Sequence, residues 1–115
     1  MDTSYIYEID VAHPPRHPDL VEQALLDAWM IVRNSTNLRV LKIIHGYGSH
    51  GEGGQTRETV RNWAYQYRQR FEEIINGEEF SQTELATREM IAECGYCNDD
   101  DLGRANSGIT LIWIN

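Results

Sequence analysis

Arg39-Val40-Leu41-Lys42-Ile43-Ile44-His45-Gly46-Tyr47-Gly48 runs from a mainly β-branched and aliphatic segment straight into glycine. Arg39–Ile44 reads as a short buried strand, since branched and aliphatic side chains suit a pleat covered on both faces. Beyond it, residues 46–54 hold five glycines in nine positions. A second helix then opens at Gln55 or Thr56, with Val60, Trp63, Ala64, Tyr67 and Phe71 on one face and Arg57, Arg61 and Arg68 beside them. The unit is strand, glycine loop, helix.

Upstream, Tyr5–Val11 places Tyr5, Tyr7, Ile9 and Val11 at every second position, the period of a strand. His13–Pro18 contains three prolines and forms a rigid loop. A helix follows, with Asp19 as the expected cap, Glu22 three residues on, and Val21, Ala24, Leu25, Ala28 and Val32 as its apolar stripe. Downstream, Ile74–Ile75 suggests a short strand, Thr83–Glu93 a helix, Cys94–Ser107 a polar acidic loop, and Ile109–Ile114 the strongest strand of all. A β-α-β-α order predicts that the first two strands are parallel neighbours joined by a crossover. In open α/β sheets ligands gather beyond the carboxyl ends of the strands, so Asp10 and His45 are expected to share one crevice.

The 115 residues fit a single domain, 1–115, with 41% hydrophobic and 24% charged side chains. The longest apolar run, Ala28–Val32, is far below the roughly 20 residues of a membrane span. With no basic and apolar leader pattern at its start, the chain is expected to be cytoplasmic, to have no membrane partner, and to keep Cys94 and Cys97 reduced. The formal charge of −8 argues against a generally basic nucleic-acid footprint. It is distributed unevenly: residues 33–70 carry seven of the ten basic side chains against Glu52 and Glu58, whereas residues 71–101 carry ten acids and Arg88. Such asymmetry predicts one face that attracts anions and another that keeps the protein soluble.

Several residue groups could carry chemistry. The loop His45–Gly54 could cradle a phosphate with backbone N–H groups and a helix N-terminus, or it could be a plain connector. Gly46-x-Gly48-x-x-Gly51 matches the dinucleotide fingerprint in letters, yet the chain has no room for two mononucleotide-binding halves. Asp10 and His45, with His13 nearby, could act as an acid–base pair or, through Asp10, bind a divalent cation such as Mg or Mn. Cys94-Gly-Tyr-Cys97 could be half a zinc site, a redox pair, or two ordinary thiols. Trp63, Tyr65, Tyr67 and Trp113 are mostly expected to pack in the core, whereas Tyr47 is expected to stand exposed, able to stack on a base or sugar.

With these residues in view, the chain resembles the Smr (small MutS-related) domain. The likeness rests on Ile9-Asp10-Val11, on Ile43-Ile44-His45-Gly46-Tyr47-Gly48, on Arg57 beyond the glycines, and on the terminal Gly108–Ile114. It implies an α/β fold: a small two-layer sandwich with a mixed four-stranded sheet and two main helices, like the C-terminal domain of translation initiation factor three. An extra helix is expected before the last strand. It also implies DNA or RNA binding and, in many members, endonuclease activity. Asp10 would match the acid of the family's Leu-Asp-x-His motif, and His45, Gly46 and Gly48 its His-Gly-x-Gly motif. Ala12 stands where that motif has histidine, leaving His13 or His50 to replace it, and residues 49–53 lengthen the loop. On this likeness Asp10, His13 and His45 are the catalytic candidates, and Gly46, Tyr47, Gly48, Gly54, Arg57 and Arg61 the phosphate-binding ones. A non-catalytic module for nucleic acid or protein, and a small domain for a phosphorylated ligand, are the competing readings.

Overall fold

The computed structural model describes residues 5–47 and 52–115. In chain order these form β1 (Ile6–Asp10), α1 (Pro18–Arg33), β2 (Val40–Ile44), α2 (Glu52–Gln66), a 3-10 turn at Arg68–Arg70, and β3 (Glu73–Asn76). A second 3-10 turn at Gly77–Glu79, α3 (Leu85–Cys94) and β4 (Ile109–Trp113) complete the chain. The sheet order is β1-β2-β4-β3. β1 and β2 are parallel, with Asp10 opposite Ile44; β4 is antiparallel to both β2 and β3. The expected parallel pairing of the first two strands is thus observed, in a compact α/β fold with a mixed four-stranded sheet and three helices.

Side-chain alternation sends Tyr7, Ile9, Val11, Leu41, Ile43 and Ile112 toward α1 and α2. There they meet Val21, Leu25, Ala28 and Val32 of α1 and Val60 and Ala64 of α2. Trp29, Trp63, Tyr67 and Phe71 close this core, with Trp29 edge to face against Phe71 at 5.2 Å and against Trp63 at 5.8 Å between ring centroids. The α2 stripe ends at Gln66, so Phe71 joins the cluster from beyond the 3-10 turn. Tyr65 departs from its expected core role: it is 63% exposed, with the Arg68 guanidinium 3.9 Å above its ring.

The opposite face is also covered. Val40, Ile75, Ile109, Leu111 and Trp113 pack against Phe80, Met90 of α3, and Cys97. The region expected as a polar acidic loop contributes Cys97 to this second core, with Cys94 and Leu102 packed against it, and two of its acids are structural. Lys42, 5% exposed in the middle of β2, points into this face and is held by Asp99 at 2.8 Å and Asp101 at 2.7 Å, with Glu8 at 3.4 Å. A buried ammonium requires such partners.

Two helix starts differ from expectation. α1 begins at Pro18, which needs no donor at the first helical position, and the His17 ring, not Asp19, caps it by accepting the Asp19 amide at 3.1 Å. α2 begins at Glu52, so Gly53 and Gly54 belong to its first turn instead of the loop.

Candidate functional site

The antiparallel pairings around β4 make β1, β2 and β3 mutually parallel, so their carboxyl ends and the start of β4 share one pole of the sheet. The first residues of the two predicted loops meet there. Val11 donates to the Ile44 carbonyl at 2.9 Å, and a side-chain carbon placed on Gly46 would lie 3.8 Å from the Ala12 methyl. Gly46 holds a φ of +83°, a conformation that favours glycine, while the amides of His45 and Gly46 both donate to the Gly108 carbonyl. The first amide of the glycine loop is therefore committed to the fold and not available to a phosphate.

Although their strands are neighbours, Asp10 and His45 leave the sheet on opposite faces. Asp10 alternates with Ile9 and Val11 of the helix-side core, whereas His45 continues the Leu41–Ile43 row toward that core. Among the described residues no hydrogen bond joins them, which corrects the expectation of a facing pair.

His45 is fully buried. Its Nδ1 lies 2.8 Å from the Gly46 carbonyl, which can only accept, so Nδ1 carries the proton. Nε2 then accepts from the Thr110 hydroxyl at 2.8 Å, and that hydroxyl accepts from Arg61 Nε at 3.1 Å. Arg61 also clasps Glu78 at 2.8 and 3.2 Å and donates to the Ile109 carbonyl at 3.1 Å. Burial, and then the Arg61 and Arg57 charges, push the His45 ring down to about 4, against the pull of the Gly46 carbonyl and Glu78. At neutral pH its protonated form is then about one part in a thousand. The ring ties β2 to β4 and does not offer a proton.

Asp10 and His13 form the open counterpart. The Asp10 carboxylate accepts the amides of Ala12 and His13 at 2.8 and 3.0 Å, which shapes the turn leaving β1. Its other oxygen lies 2.9 Å from His13 Nδ1. A carboxylate held in this way only accepts, so His13 donates through Nδ1; its side chain is 73% exposed. Partial burial pushes the Asp10 carboxyl up, but the Ala12 amide and His13 bonds prevail and hold it below its ordinary value.

Tyr47 is 65% exposed, as expected, and Arg57 is half-buried early in α2. Gly54 lies in the first helical turns; Gly48 and His50 fall outside the described residues. Among the described residues no three His, Cys, Asp or Glu side chains converge as a metal centre. Asp10, engaged with two amides and a ring, fits the role of orienting His13 better than that of a Mg or Mn ligand. Cys94 and Cys97 are free thiols, and burial raises both, which makes them less reactive.

No family model, curated protein or solved structure matches this chain.

The basic block of residues 33–70 does not form one face. Arg57 and Arg61 sit at the carboxyl pole, Arg33 and Arg70 line a small pocket with Trp29 and Ile114 at the other, and Lys42 is buried between. Thr110, Glu78, Asp99 and Asp101 were missed as partners. A lysine amid Val40-Leu41-x-Ile43-Ile44 was the one signal that acids must come to meet it.

Proposed function

We propose that this domain binds the phosphate backbone of DNA or RNA at the carboxyl pole of its parallel strands, and that His13, oriented by Asp10, moves the proton in any phosphodiester cleavage. The observation that carries this reading is the ordered, open Asp10–His13 pair beside the Gly46 turn. Arg57 and the start of α2 supply positive potential there, and exposed Tyr47 supplies a ring on which a base can stack. His13 Nε2, with Nδ1–H held by the carboxylate, can accept a proton from the attacking oxygen or return one to the leaving oxygen. His45 contributes by holding the Gly46 turn in shape.

Supercoiled plasmid and single-stranded RNA, each incubated in EDTA and with Mg²⁺ or Mn²⁺, test the reading. Cleavage by the wild type that vanishes in His13→Ala and falls in Asp10→Asn, with binding retained, supports it. Equal trace cleavage in wild type and His13→Ala identifies a contaminant and removes the catalytic part.

The neutral, buried His45 favours a second reading, a binding module without cleavage. In that case Arg57→Ala weakens oligonucleotide binding, with a shallow salt slope of about −1 to −3 because few cations serve the pole. The absence of any salt-sensitive binding contradicts both readings.

A further inference from the structure

β1 is an edge strand among the described residues, and the flank of α1 lies beside it. Tyr5 and Val11 direct their backbone groups toward β2, the Tyr5 carbonyl accepting from Arg39 and Val40 and the Val11 amide donating to Ile44. Alternation therefore turns the N–H and C=O groups of Ile6 and Glu8 toward the free edge. The Asp10 carbonyl, next in that row, is taken by Arg16 Nη2 at 3.3 Å, which ends the open stretch. Between strand and helix runs a groove of about 260 Å³, walled by Tyr7, Ile9, Ala24 and Ile31. Ile31 is 46% and Leu20 60% exposed along the helix wall.

The charge beside this edge is unbalanced. Three carboxylates, Glu8, Asp99 and Asp101, share the single Lys42 ammonium, and Glu8 is 53% exposed. Asp27 and Asp10 line the groove against Arg16, so acids remain in excess. Pairing of this strand with its own copy about Glu8 would set two glutamates against each other, which is unfavourable.

We infer that the β1 edge and the α1 flank form a docking groove for an extended segment of another protein, one that alternates apolar and basic side chains. The segment adds a strand to Ile6–Glu8, with apolar residues entering the Tyr7–Ile9–Ile31 groove and a lysine or arginine opposite Glu8. This surface runs up to Asp10, where the Asp10–His13 site begins, and it does not use the His13 ring.

A labelled, capped heptapeptide of alternating lysine and valine is the probe, read by fluorescence anisotropy on the full chain. Saturable binding is expected. N-methylation of alternate peptide amides should weaken it at least about tenfold, because the ladder bonds are lost. Glu8→Lys should weaken it about tenfold and favour a glutamate–valine peptide instead, through reversed cross-strand charge. Ile31→Asp should weaken it independently of Glu8, and Arg57→Ala should leave it unchanged. Circular dichroism establishes that each variant is folded. Binding indifferent to N-methylation reveals diffuse attraction to an acidic protein and overturns the inference. Absence of saturable binding overturns it as well, as does concentration-dependent dimerisation that Glu8→Lys abolishes.

Discussion

The two histidines at the carboxyl pole have opposite surroundings. His45 lies beneath the sheet end, its two nitrogens saturated by Gly46 and Thr110, and its charged form is excluded by burial and by two arginines. His13 stands in solvent, fixed on one side by Asp10 and free on the other. Burial assigns one ring to architecture and leaves the other open to solvent, although the motif around His45 is the more conspicuous in the sequence.

The contrast is broken most severely by removing the buried ring. His45→Ala should cost about 3–4 kcal/mol of unfolding free energy in urea denaturation, combining a cavity with stranded Thr110 and Arg61 groups. Acid should act through the same ring. Its folded value of about 4 lies below the ordinary 6.5, so the unfolded chain takes up the proton first. The stabilising contribution is complete above pH 6.5 and is lost as pH falls toward 4, by roughly 2–3 kcal/mol. Denaturation midpoints measured across that window should decline in the wild type and flatten in His45→Ala. Thr110→Val should cost about 1–3 kcal/mol, because it leaves His45 Nε2 without a donor and Arg61 Nε without an acceptor. The smallest stability effect belongs to His13→Ala, within about 0.5 kcal/mol of wild type. That variant should nonetheless show the larger loss in plasmid or RNA cleavage, and the reversal between the two assays sharpens the comparison.

Periodicity made the scaffold legible. The alternation in Tyr5–Val11 and the aliphatic runs at Arg39–Ile44 and Ile109–Ile114 became β1, β2 and β4 with small changes at their ends, and the crossover implied their parallel pairing. Caps were less legible, because Pro18 at the first helical position allowed His17 to take the role expected of Asp19. The site was legible as a place and misleading as a partnership. Strand order brings Asp10 and His45 to one pole, but facing depends on the parity of each residue in its own strand, which register alone reveals. The charge block misled for a similar reason. Arg33, Lys42 and Arg57 are close in sequence yet project to one pole, a buried layer and the other pole, because a strand and helices separate them.

The division of labour between the two rings can be read directly by NMR. Long-range ¹H–¹⁵N correlations of the histidine side chains, followed from pH 8 to pH 4, report tautomer and charge for each ring. His45 is expected to remain neutral with its proton on Nδ1 until about pH 4. A His45 ring that titrates near its ordinary 6.5, or carries its proton on Nε2 when neutral, contradicts that expectation.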